Sequence, residues 1–212
     1  MTAIDTQVAE DAGAIKALIQ AFFDAINAAD TKALQSCFFP GANLTIIRQD
    51  PALLPPPPGG EEEATTGQRR DSREESKGDE RKKLTVVIRT SIEEFVRLLE
   101  DGKKRREGKP GPVLHESPDL EATEVRTDGL FGVAWSPFRV TFDGVLHHYG
   151  TMAYTLGQRL VEEEEEEAGG EKQVQGQKQK QRMVWRVEGL TQNYRRTPGW
   201  SVAEGEGVGV PF

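Results

Sequence analysis

The sequence predicts an α+β domain in which N-terminal helices pack on one face of a curved, mostly antiparallel β-sheet. Three observations predict it. Apolar residues near the N-terminus recur at helical spacing, the second half reads as strand-length runs broken by Asp-Gly pairs, and the polar excess is confined to separable stretches. Helices first and strands afterwards is the order expected when helices cover one face of an antiparallel sheet.

The helical spacing is Ile15, Leu18, Ile19, Phe22, Phe23 and Ile26, one apolar stripe of a first helix. Asn27 to Asp30 breaks it, and Asp30 can cap a second, short helix that buries Leu34, Cys37 and Phe38 before Pro40-Gly41 stops it. Leu44 to Ile47 is a short β-branched run and predicts a strand. After Leu84 to Ile88, Ser91-Ile92-Glu93-Glu94 forms a capping box for a third helix that runs to about Asp101. The strand-rich remainder divides into Val113 to Arg126, Leu130 to Phe142, Val145 to Gln158 and Met183 to Tyr194. Asp128-Gly129 and Asp143-Gly144 tolerate the positive φ of tight hairpins, so the first three form a meander and the fourth returns beside it.

Two stretches fall outside this pattern. Pro51 to Lys83 holds the proline run Pro55 to Pro58 and then 25 mostly charged and polar positions, Gly59 to Lys83, in which Ala64 is the one apolar residue apart from glycine. Glu162 to Arg182 opens with six glutamates. Neither can bury enough apolar surface to offset its ordering entropy, so both read as disordered insertions in a single domain spanning residues 1–197. Pro198 to Phe212, with four glycines, reads as a flexible tail.

A formal net charge of −8 opposes binding to nucleic acid and to anionic membranes, and no run is long and apolar enough to span a bilayer. With a single cysteine and acidic residues where a secretory signal needs an apolar run, the expected location is cytoplasmic, or nuclear if the basic cluster Lys103 to Arg106 is a localisation patch. Three histidines and one cysteine argue against a structural zinc site, and His147-His148 is a poor metal pair if strand neighbours point to opposite faces. There is no nucleophile elbow, phosphate-binding loop or His-Glu-x-x-His, and no cofactor is expected.

Alternation along the third of these strands puts Leu146, His148, Gly150, Met152, Tyr154 and Leu156 on one face. That face is the more apolar and is expected under the helices, together with Phe138, Val140 and Phe142. His148 there is a candidate for proton transfer, and the Tyr154 hydroxyl could donate to a ligand carbonyl. The competing reading of both is ordinary packing with the polar atoms satisfied by neighbours.

The run Ala134-Trp135-Ser136-Pro137-Phe138-Arg139-Val140-Thr141-Phe142-Asp143-Gly144, followed by Leu146-His147-His148-Tyr149-Gly150, Tyr154-Thr155-Leu156 and Trp185-Arg186-Val187, resembles the C-terminal sheet of the nuclear transport factor two-like superfamily, in its SnoaL-like and lumazine-binding branches. Phe22-Phe23, the Asp30 turn and Phe39-Pro40-Gly41-Ala42 fit the opening of that fold. The resemblance implies a cystatin-like cone with a ligand pocket on the concave face, where Phe22, Phe138, Phe142 and Met152 would form the wall. Met152 stands where such relatives often carry an acid. The resemblance further implies a small apolar or carbonyl-bearing ligand and a cofactor-free isomerase, cyclase or dehydratase using His148 and Tyr154, or else a non-catalytic binding module. It also implies a homodimer formed through the outer sheet face near Trp135, Tyr149 and Thr151.

Overall fold

The computed structural model describes residues 3–49, 84–109, 111–162 and 181–197. The disorder expected for 51–83 and for most of the second insertion, and the looseness expected of the tail from Pro198, concern residues outside that set. Glu162, Gln181 and Arg182, read above as part of the insertion, belong to strands.

Helix α1 (Ala3–Ala28) buries the predicted stripe, with Ile15, Ile19, Phe22 and Phe23 closed off from solvent. It ends where Ala29 takes a left-handed φ of 51° and the Asp30 amide bonds back to the Ala25 carbonyl. The Asp30 carboxylate then caps α2 (Thr31–Ser36), accepting from the amides of Lys32 and Ala33. The chain is already extended at Phe38, so strand β1 (Phe38–Gln49) is longer than the Leu44 to Ile47 run predicted and includes Pro40-Gly41. A bulge makes this possible. Pairing with the last strand jumps from Phe38↔Val187 to Asn43↔Gly189, which lifts Pro40, with no N–H to give, out of the ladder. Gly41 takes a φ of 77° there and donates its amide to Glu93 Oε1 at 2.8 Å.

Strand β2 (Leu84–Ser91) leads into α3 (Ile92–Arg106), whose first turn is held by Ser91 Oγ accepting from the Glu94 amide at 3.3 Å. The helix continues past the predicted end at Asp101. Lys103 to Arg106 lie in its last turn, where cations complement the carbonyl end of the helix dipole. The single strand predicted from Val113 to Arg126 is two, β3 (Leu114–Pro118) and β4 (Glu124–Asp128). Between them the Asp119 carboxylate accepts from the Ala122 amide, and its carbonyl accepts from Thr123 Oγ1.

Strand β5 (Phe131–Phe142) pairs with both β3 and β4 along one edge and with β6 (Val145–Glu162) along the other. Asp143 and Gly144, at φ 49° and 80°, make the β5–β6 hairpin turn with the two left-handed positions expected of an Asp-Gly pair. Strand β7 (Gln181–Arg196) pairs antiparallel with β6 and parallel with β1. The sheet order is β2-β1-β7-β6-β5-β3, so the last strand lies inside the sheet beside the first. The helices cover one face of this curved, open, mostly antiparallel sheet, and one contiguous core fills the space between.

Candidate functional site

Each strand of the sheet offers alternate residues to two quite different surroundings. On the helix-covered face the predicted wall residues Phe22, Phe138 and Met152 are all at least 97% buried, and their neighbours are other side chains of the protein. Phe22 meets Phe23, Phe38 and Tyr154 edge-on at ring separations of 5.2, 5.9 and 6.3 Å, and the Tyr154 hydroxyl donates to Met152 Sδ at 3.1 Å. Burial pushes the Tyr154 phenol well above its ordinary range, with the nearby Glu116 charge adding to the effect. Phe142 lies at the end of β5, half-buried, with its ring edge-on to His147 at 4.7 Å.

His148 is also on this face, packed against Tyr194 at 4.7 Å and Phe138 at 6.1 Å. Gly150 and Met152 separate it from Tyr154 along the strand, about 20 Å of backbone, so the two residues do not form a pair. Burial first, then the neighbouring His147 and Arg196, holds the His148 pKa down to about 3. It is therefore neutral at physiological pH and a weak base there.

A bulge changes the face pattern at this point. Pairing with β5 steps from Val140↔His148 to Thr141↔Leu146, so Leu146 leaves the inward face predicted for it and is exposed. The same bulge overturns the expectation that adjacent histidines must diverge: His147 Nδ1 and His148 Nδ1 are 2.7 Å apart, one ring donating its Nδ1–H to the bare nitrogen of the other. Among the described residues no group of three or more His, Cys, Asp or Glu side chains is placed to hold a metal ion.

Sequence reasoning missed Glu116. It faces inward from β3 and is 9% exposed, and the Asn27 amide side chain at the end of α1 clamps its backbone, accepting from the Glu116 N–H and donating to its carbonyl, both at 2.7 Å. Burial raises its carboxyl from an ordinary 4.5 to about 7. The sign was available in the pattern, because Glu116 shares its strand face with Leu114, but an acid in a short strand reads first as solvated. Cys37 is likewise buried, its Sγ donating to the Ala33 carbonyl, and burial pushes the thiol up to about 11.

The opposite face of the sheet is open. A groove of about 550 Å³ runs across it, floored by the small residues Ala153, Thr155, Gly189 and Thr191 and walled by Val133 and Trp135. Trp135 is 52% exposed, and Asn43, Thr45, Glu124 and Arg126 complete the rim. Tyr149, from the set expected on the outer face with Trp135 and Thr151, is also exposed on this side. The cavity thus lies on the reverse of the face where the resemblance puts a pocket, with neither His148 nor Phe22, Phe138, Phe142 or Met152 around it. Tyr154 borders it by position in the strand, but its ring is turned to Phe22 on the helix side.

No protein-family model and no curated protein matches the chain. Among solved structures it is similar to a chain described as the beta subunit of an aromatic-ring-hydroxylating dioxygenase from Novosphingobium aromaticivorans, at 10% identity over 87% of this chain and 89% of that one, with a TM-score of 0.49. It is also similar to a cystatin-like domain of unknown function from Nostoc punctiforme (12% identity, 98% and 85% covered, TM-score 0.42). A third is an NTF-2-like protein of unknown function from Silicibacter pomeroyi (15% identity, 89% and 98% covered, TM-score 0.39). These neighbours include folds of the kind the sequence resembles.

Proposed function

We propose that the protein is a binding module that takes a small, largely apolar, carbonyl- or carboxylate-bearing molecule in the groove on the open face of its sheet. The observation that carries this reading is the contrast in occupancy: one face is filled by its own aromatic side chains, while the other holds a cleft of about 550 Å³ beside a half-exposed tryptophan. That volume is in the range of clefts that enclose a ligand of drug size. A planar apolar body would lie against the Trp135 ring over the small-residue floor, and Arg126 would meet an oxygen anion or carbonyl at the rim.

Titration with the anionic fluorophore 8-anilinonaphthalene-1-sulfonate tests this. Probe emission is expected to rise and Trp135 emission to fall together, and Trp135→Ala is expected to weaken binding at least tenfold. Equal binding by the Trp135→Ala variant would sink the reading.

One observation favours a second reading on the covered face. Glu116 is a carboxyl buried on the covered face near Tyr154, and burial pushes it up to about 7. In a proton-transfer enzyme of the isomerase, cyclase or dehydratase kind, Glu116 would move the proton in place of His148, with Tyr154 polarising a carbonyl oxygen. A ligand would then have to displace part of the aromatic packing. Native mass spectrometry of the purified protein, with Glu116→Gln alongside, separates the readings. A co-purifying molecule lost on Glu116→Gln but kept on Trp135→Ala supports the second, and the reverse pattern supports the first.

A further inference from the structure

The open face carries a pair of cations that no neighbouring acid offsets. Cross-strand register sets Arg139 of β5 opposite Tyr149 of β6, and Tyr149 opposite Arg195 of β7. All three are exposed, so one phenol ring stands between two arginines whose Cα atoms are about 10 Å apart across the sheet. Their neighbours in register are uncharged: Ser117 beside Arg139 on β3, and Pro137, Thr151 and Asn193 in the adjoining row. Among the described residues neither Arg139 nor Arg195 takes part in a side-chain hydrogen bond or an ion pair. Other open-face arginines have acids at hand. Arg159 is paired with Glu188, and Arg126 on the groove rim shares its strand face with Glu124, two positions away. In a chain of net charge −8 a cationic pair without a counter-charge is the exception.

This pair lies in line with the groove. Trp135, Ala153 and Thr191 form one cross-strand row of the groove lining, and Pro137, Thr151 and Asn193 form the next. Arg139, Tyr149 and Arg195 are the row after that, four residues beyond Trp135 along β5, about 13 Å. No register shift falls between these rows, and Pro137 and Thr151 give the stretch between them a largely carbon surface.

We infer that the open face takes an elongated amphiphile, with its apolar body in the groove against Trp135 and its carboxylate about 13 Å away between Arg139 and Arg195. This rests on the groove being the binding site, and it makes the ligand an extended carboxylate rather than a compact one whose anion reaches only Arg126. The two oxygens of a carboxylate accept from both guanidiniums, and the Tyr149 hydroxyl can donate a further bond. A guanidinium is weakly hydrated, so it gives up little solvation in making such a pair.

Two probes test the inference on the full chain. In 11-(dansylamino)undecanoic acid the fluorophore and the carboxylate lie at opposite ends of an alkyl chain, whereas in 8-anilinonaphthalene-1-sulfonate the anion is fixed to the ring system. Arg139→Ala combined with Arg195→Ala is expected to weaken binding of the undecanoic acid about tenfold and to leave 8-anilinonaphthalene-1-sulfonate binding unchanged. The methyl ester of the undecanoic acid is expected to bind equally to both forms of the protein. Both arginines are exposed, so the denaturation midpoint of the double variant should match that of the parent. Equal binding of the undecanoic acid by parent and double variant overturns the inference, and so does an equal loss for acid and ester. If Trp135→Ala abolishes 8-anilinonaphthalene-1-sulfonate binding while the double variant keeps the undecanoic acid, the groove reading stands and this inference alone fails. If the double variant loses the undecanoic acid but Trp135→Ala binds both probes normally, the arginine pair acts without the groove and both readings fail.

Discussion

The helix-covered and open faces of this sheet are built from the same strands, yet Tyr154 is 2% exposed and Trp135, on the next strand and one register position away, is 52% exposed. The covered face has spent its aromatic residues on one another: Phe22, Phe23, Phe38, Phe138 and Tyr154 meet ring against ring. The open face keeps small residues in its middle and leaves its tryptophan uncovered. The lesson is that inward-facing aromatic residues on an α+β sheet are stability residues until a cavity is found among them, and the cavity is on the side where side chains are missing.

Three substitutions test how sharp this division is. The largest effect is expected from Phe23→Ala, which removes a fully buried ring from the packed layer and should cost about 3–5 kcal/mol of unfolding free energy, read as a fall in denaturation midpoint at unchanged slope. A loss under about 1 kcal/mol would mean that the covered face is loosely filled and has room for a ligand after all.

The next concerns Glu116. Its carboxyl keeps its proton to about pH 7 in the folded chain but gives it up near 4.5 when unfolded. The folded state is therefore favoured most below pH 4.5, and that advantage disappears as the pH rises through 7, a change of about 3 kcal/mol. Glu116→Gln should flatten the dependence between those limits and stabilise the protein at pH 8 by up to about 3 kcal/mol, as followed by thermal unfolding across pH. A destabilised variant at pH 8 would mean that the carboxylate has a partner which the amide cannot satisfy.

The smallest effect belongs to the open face. Trp135→Ala should change stability by no more than about 0.5 kcal/mol, since half of the ring already faces water. A cost of about 2 kcal/mol or more would show that the tryptophan is covered in solution.

Much of this arrangement is legible in the sequence because it depends on local rules. The Ile15 to Phe23 stripe, the Asp30 and Ser91 caps and the Asp143-Gly144 turn each arise from residues within a few positions of one another. What escaped depends on pairing over distance. Pro40-Gly41 reads as a helix stop unless a bulge opposite Val187 and Gly189 takes up the missing donor. The His147–His148 contact exists because β5 and β6 slip register at Val140, and nothing near the histidines announces it. Glu116 is inward because β3 is anchored to Asn27, 89 residues earlier. The groove was unreadable for a related reason, since it is defined by what five strands, β1 and β4 to β7, leave vacant together.

The central position of β7 sets the order in which the domain can be completed during synthesis. Until residues 181–196 have left the ribosome, β1 with β2 and the β3–β6 array are two sheets with facing unpaired edges, and among the described residues no other strand joins them. The joint closes over a separation of roughly 145 residues, the kind of long-range pairing that folds slowly and leaves hydrophobic edges available to other chains in the meantime. A nascent chain of this protein is therefore most in need of chaperone cover late in translation, when nearly all of its core has been made and the strand that unites it has not.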